Sequence, residues 1–409
     1  MRFLRFGYVT AAIVGLIWGV TVSVVMSIGL AFLTGAAVTP GLLASALAGI
    51  AASCFVIATA GKLPELWRDA GASLVFAVLL VGLRVGEPFG APLSESSAAQ
   101  GIALLIFAAA IGFSVGKILR DVPAGKLTRH EFEAAIIGVL VGFGYVFFTA
   151  IVAIPFFIMV MTSLKSQQSL LANPLDYSLD LSKGWDLFRS YIELFRDFNF
   201  GRYLMVSAFV SVMTVFLTLL FSVPGAYAVA RLRFKGQAMM SRSILLIYMV
   251  PMIVLALPIY IAFSMVELRN SLLGILLVYP VTTIPVSLYM LQGYFRDLPA
   301  EIEEAGLMDG LSRLKVIWQI TLPLSLPALA SVSLYVFMIA WNEFLLAFML
   351  LDDPNIFTLT RGVSMLNSSE IPRQHLMAGS VIATVPIMVI FLGLEKFMTK
   401  GLTAGSVKG

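Results

Sequence analysis

Few side chains in this 409-residue sequence could do chemistry, and where they stand limits what chemistry is open. His130 and His375 are the only histidines, far apart and away from cysteines or clustered carboxylates at ligand spacing, so no metal site is expected. The single Cys54 lies in an apolar run and can form no disulfide within the chain. No Ser/His/Asp set, no paired carboxylates at membrane depth and no G-x-x-x-x-G-K-[ST] phosphate loop occurs, which argues against hydrolysis or nucleotide binding by the chain itself. Two stretches remain. "WNEFLLA" at 341–347 carries Glu343 and Asn342 inside an apolar run, and "EEAGLMDGLSRLKVIWQITLPLSLP" at 303–327 packs acids, an Asp-Gly and an Arg-x-Lys into one short polar interruption.

An acid at bilayer depth costs roughly 2.5–3.5 kcal/mol on insertion scales and often marks a path for ions or solutes. Glu343 therefore has two readings: a lining residue or inter-subunit contact beside Asn342, or a helix-packing group satisfied by neighbouring backbone. In the second stretch, Pro299 can open a helix and Glu301, Glu303 and Glu304 then fall in its first turns, where the helix dipole favours negative charge. Gly310 can close that helix with a left-handed cap, "SRLKVIWQI" can form a second short helix, and Pro323 opens the next apolar run. Ala305 and Gly306 offer small side chains that another surface could approach, with Ile302, Leu307 and Met308 flanking. The plain alternative is an amphipathic connector resting on a membrane.

The elements that must position these residues are set by composition. The chain is 59% hydrophobic and 12% charged, against about 45–50% and about 25% for soluble domains, so its solvent is mostly lipid. A helix needs about 20 residues to cross roughly 30 Å of hydrocarbon. Ten apolar runs answer to that, near 8–34, 41–60, 70–86, 101–118, 134–163, 203–229, 243–265, 271–292, 323–350 and 378–395. They are continuously apolar, which selects helices over a barrel. With the N-terminus inside, about two thirds of the 27 Lys and Arg fall on the cytoplasmic side, which also places the C-terminus inside and the 303–327 stretch in the cytoplasm. The net charge of +4 follows from that bias and forms no stripe interleaved with aromatics, so no nucleic acid is expected as partner. Gly35, Ala36 and Ala37 could mark a signal-peptide cleavage site, but the preceding apolar run exceeds the usual 7–15 residues and is expected to remain as a span.

Residues 1–120 read as four spans with short links. "RDVPAGKLTRHEF", with Pro123 and Gly125, makes 121–133 a plausible linker, and 134–409 follows with six spans and a connecting loop over 296–323. Pro224, Pro251, Pro258, Pro285 and Pro386 are expected to interrupt and kink those spans. Between 164 and 202, "WDLFRSYIELF" has apolar residues at helical spacing, fitting an interfacial helix or a docking surface.

The 303–327 stretch resembles the cytoplasmic EAA loop of binding-protein-dependent ABC importer permeases: Glu304-Ala305-Gly306, Gly310, then Ile320-Thr321-Leu322-Pro323. Gly306 stands where that pattern has its second Ala. "PGAYAVARLRFKG" at 224, "WNEFLLA" at 341, "MAGSVIATVPIMVIF" at 377 and "KGLTAGSVKG" at 400 look like the sugar-transporting branch, the second permease of the maltose and α-glucoside type. The resemblance covers about 134–409. It implies an all-α integral membrane fold, a six-helix permease core preceded by about four extra helices, in a bacterial cytoplasmic (inner) membrane. It also implies a second permease subunit, two cytoplasmic ATPase subunits that bind ATP and Mg, an extracytoplasmic sugar-binding protein, and no cofactor in this chain. Glu303, Glu304, Ala305, Gly306, Asp309 and Gly310 would then form the coupling helix that docks on an ATPase. Asn342, Glu343, Tyr289 and Tyr335 are candidates for the sugar path, and Tyr227 and Tyr248 could also hydrogen-bond a sugar. The rival class, an ion-coupled secondary sugar carrier, needs intramembrane carboxylates or mirrored broken helices, for which only Glu343 and scattered prolines are at hand.

Overall fold

The computed structural model describes residues 5–34, 38–84, 89–90, 98–173 and 181–403. The Gly35–Ala37 signal and the last residues of the "KGLTAGSVKG" block lie outside them. The chain divides into two compact units, Met1–Gly184 and Trp185–Gly409. The division falls later than the expected 121–133 linker, because the helix after that linker packs with the first unit.

In the first unit, α1 (Gly7–Thr34), α2 (Leu42–Ala58), α3 (Glu65–Leu83), α4 (Ala98–Ile118) and α5 (Arg129–Ser163) are followed by the short α6 (Gln167–Ala172). Small residues set how closely the helices approach, since lipid supplies no hydrophobic drive between them. A Cβ on Gly15 of α1 would collide with the Gly49 carbonyl of α2. The linker ends in a capping box: Thr128 and Glu131 satisfy each other's backbone N–H groups and start α5. α5 then lies against α1, where a Cβ on Gly142 would stand 2.7 Å from the Trp18 ring. Ala135 is fully covered in the core of this unit.

The second unit begins with a short 3₁₀ stretch and α7 (Arg189–Asp197), then α8 (Phe200–Arg231), α9 (Gln237–Tyr248), α10 (Met252–Met265) and α11 (Leu272–Asp297). α12 (Ala300–Met308) and α13 (Arg313–Val316) follow, then a π-helical turn over Ile317–Thr321. α14 (Leu322–Leu324), α15 (Leu326–Asn342), α16 (Leu345–Leu350), α17 (Leu359–Met365) and α18 (Arg373–Thr403) complete the unit. α8 and α11 run parallel along a seam of small polar residues. Ser207, Ser211, Thr214, Thr218 and Ser222 of α8 are buried, and the Thr218 and Thr283 hydroxyls meet at 2.7 Å.

Among the described residues, seven helices are long and apolar enough to cross a membrane, or eight if the bent pair 313–324 and 326–342 counts as one span. The ten expected runs are all helical, but three differ in form. Leu42–Ala58 is short for a span at 17 residues. The 243–265 run is two helices meeting at Pro251, which N-caps α10 and removes a donor the helix would need. The 323–350 run breaks after Asn342. Pro224, Pro258, Pro285 and Pro386 do not interrupt their helices, which run on through them.

Candidate functional site

α12 has nine residues, and its two ends are set by local chemistry. Pro299 is the N-cap and not the first helical residue, so the helix starts one position later than expected, with Glu301 and Glu303 in the first turn. At the other end Gly310 takes φ +84°, which costs glycine nothing. Its N–H donates to the Leu307 carbonyl at 3.1 Å and the Leu311 N–H to the Gly306 carbonyl at 3.1 Å, the two bonds of a Schellman cap. The chain then restarts at Ser312, whose hydroxyl caps Lys315 N.

The site residues named from the sequence divide between two faces of α12. Glu304, Ala305, Asp309 and Gly310 are exposed, as is Met308 at 88%. Beyond the turn, Leu314 and Trp318 are 71% and 72% exposed. The exposed face of α12 is thus acidic and apolar together. Glu303 and Gly306 are different: both are buried on the opposite face. Gly306 allows no approach from outside, because a Cβ there would stand 2.6 Å from Ile320 Cδ1 of the same unit. Glu303 points inward and accepts hydrogen bonds from Tyr227 Oη at 3.1 Å and Thr321 Oγ1 at 2.9 Å. Arg231 Nε lies 3.6 Å from Oε1, the oxygen that Thr321 bonds, and the same guanidinium donates to the Leu298 carbonyl at 2.6 Å. A cleft of about 1040 Å³ opens beside them, lined among others by Arg231, Arg233, Arg313, Glu303 and Glu304.

Tyr227, Arg231 and Thr321 were not singled out together from sequence. Tyr227 and Arg231 share a face of α8 at i, i+4 spacing, a pattern too common to point at an acid 76 positions away. Tyr227 therefore belongs to this cluster, with its hydroxyl committed to Glu303.

Glu343 sits at the break in the 323–350 run. Its carboxylate accepts the backbone N–H of Leu346 at 2.8 Å and of Ala347 at 3.1 Å, capping α16. Asn342 Nδ2 donates back to the Met338 carbonyl, and Thr360 Oγ1 donates to the Glu343 carbonyl at 2.7 Å. The acid is satisfied by neighbouring backbone, the packing alternative of the two readings, and it makes a helix start where a continuous span was expected. Tyr289 is exposed on α11, whereas Tyr335 packs against a buried cluster that includes Phe295 and Val332. The Tyr248 side chain lies outside the described residues.

A short helix–turn–helix with one exposed face, set between long apolar helices, belongs to a multi-pass membrane protein. Residues 222–403 match the family described as binding-protein-dependent transport system inner membrane component. The chain is 37% identical over 270 residues to the inner membrane ABC transporter permease protein YcjP of Escherichia coli, covering 65% of this chain and 95% of that one. It is 32% identical over 282 residues to the trehalose/maltose transport system permease protein MalG of Thermococcus litoralis, covering 68% and 99%. A solved bacterial ABC transporter involved in importing the acidic polysaccharide alginate shares the fold, with TM-score 0.56 at 22% identity over 66% of this chain and 98% of that one. The chain belongs to this family of ABC transporter permeases and is a multi-pass inner-membrane protein.

Proposed function

We propose that the chain is the permease subunit of a sugar importer, moving an oligosaccharide or glycoside inward and powered by two ATPase subunits that bind ATP and Mg. The names of the relatives support the cargo class: besides the trehalose/maltose protein, one is the arabinooligosaccharides transport system permease AraQ of Halalkalibacterium halodurans. The observation that carries the reading is the outward face of α12. Glu304, Ala305, Met308, Asp309 and Gly310 form a rigidly capped, acidic and apolar knob with nothing of its own unit covering it. On this reading the knob faces the cytoplasm, as do both termini, and sits in a cleft of one ATPase. Closure of the ATPase pair draws it inward while a second permease subunit completes the path and an extracytoplasmic binding protein delivers the sugar. The 1–120 helices act as a lateral packing module on this account, and 134–409 as the permease proper.

The test is Gly310→Asp. A side chain at φ +84° costs roughly 1–2 kcal/mol, and the added charge sits where the partner must close. The variant should insert in membranes at wild-type level, lose the co-purifying ATPase and lose uptake by about tenfold or more. Normal uptake by a stably inserted variant refutes the docking role. Uptake that fails when the proton gradient is collapsed at constant ATP favours an ion-coupled carrier.

A further inference from the structure

Glu303 is a buried carboxylate on a helix whose other acids face water, and the docking surface makes no use of it. Its two oxygens are held from two directions. Tyr227, in the closing turns of α8, donates to Oε2 at 3.1 Å; Thr321, in the π-helical turn that leads to α15, donates to Oε1 at 2.9 Å. Arg231, one turn beyond Tyr227, supplies the opposite charge at 3.6 Å and reaches the Leu298 carbonyl just before α12. The side chains of Arg231 and Glu303 are only 12% and 10% exposed. One acid thus bonds α12 to the end of a membrane helix and to the start of another. Gly306, one helical turn on, lets the same face seat against Ile320. A buried ion pair of this kind is poor evidence for added stability, and in some proteins its role is to fix one relative placement.

We propose that Glu303 is a positioning residue that latches α12 to the cytoplasmic ends of α8 and of the α15 lead-in, so that the three move as one body when the knob is displaced, and that it is not itself a contact to the ATPase. This rests on the functional reading above for its driving force. The geometry of the latch lies wholly within this chain.

The experiment places spin labels at two exposed positions away from the docking knob, Glu301→Cys on α12 and Arg233→Cys just past α8, in a Cys54→Ala background, and measures their separation in the assembled complex. In the parent, the distance distribution should keep its centre and width when ATP with vanadate is added. Glu303→Ala should leave ATPase co-purification intact but shift or broaden the distribution by about one helical turn, ~5 Å. Glu303→Gln, which still has an oxygen to accept one of the two hydroxyls, should return it towards the parent. A parent distance that changes with nucleotide overturns the proposal, as does a Glu303→Ala distance that matches the parent. Loss of the ATPase from Glu303→Ala would make Glu303 a contact and overturn it too. If Glu303→Ala fails to fold, the double variant Tyr227→Phe with Thr321→Val removes both donors and keeps the acid, and is read the same way. Should the parent chain bind no ATPase at all, the functional reading falls. The nucleotide-free comparison of parent and Glu303→Ala still decides the latch.

Discussion

Gly306 stands where the family pattern has alanine, and the structure leaves room for that alanine. A methyl there meets only the free end of Ile320 at 2.6 Å, with Leu311 and Val316 at 3.5 Å, so the collision is with a side chain that can swing. Against it stands about 1 kcal/mol of helix propensity gained on replacing glycine. Gly306→Ala should therefore raise the thermal midpoint by about 2–4 °C and keep ATPase binding, whereas Gly306→Leu, too large to clear the pocket, should lower it; thermal unfolding in detergent reads both. The sequence made the acids, the small residues and the glycine cap of α12 legible, because each has a local physical signature. Which face each residue took was not legible: nine residues are too few for a periodic apolar stripe, and the acid at 303 interrupts the one that exists. Only tertiary partners 76 and 18 positions away, Tyr227 and Thr321, show that this acid is turned inward.

At the scale of elements, α7 illustrates the same limit. Its apolar spacing was plain, and Leu194 is indeed fully buried while Ile192 and Phe195 stay exposed. Its anchor was hidden: Glu193 pairs with His375 of α18 at 2.7 Å, across 182 positions. The hydrogen bond from Arg189 first, and that of His375 with it, hold the Glu193 carboxyl below its ordinary range. A depressed carboxylate stabilises the folded arrangement above its unfolded value, near about 4.3, and that contribution is lost as pH falls through the depressed value. Hydrogen-exchange protection over 189–197, taken relative to the intrinsic exchange rate at each pH, should consequently fall as pH drops through and below about 4, and Glu193→Gln should be less protected at neutral pH without that acid step. A flat profile in the parent would mean the pair does not hold α7. The broken 323–350 run has a similar cause. Continuous hydropathy reported a span, but Glu343 capping α16 is a backbone event that hydropathy does not register.

For the whole molecule, the count of apolar runs carried most of the fold, and the charge bias carried the expected orientation. The compact units did not follow the punctuation: Pro123 and Gly125 looked like a boundary, yet α5 beyond them shares a core with α1 through Trp18 and Gly142. If the first unit serves lateral packing alone, damage within it should spare the knob on α12. Gly15→Leu drives a side chain into the Gly49 backbone, a clash that no rotamer relieves. It should render residues 1–120 sensitive to protease in membranes while ATPase co-purification stays at the parent level. Loss of the ATPase with this variant would assign the leading helices a part in the coupling itself.

The π-helical turn at Ile317–Thr321 lies just before Pro323, which has no N–H to offer the Gln319 carbonyl, and there Leu322 N reaches back to Ile317 O, one residue further than its α-helical partner. Such a turn stores one residue of slack in the rod. Handing that slack along by a single place advances whatever lies beyond by about 1.5 Å and rotates it by about 100°. Because Thr321 of that turn is bonded to Glu303, the slack is pinned at its source, and a pull on the knob reaches α15 without being spent there.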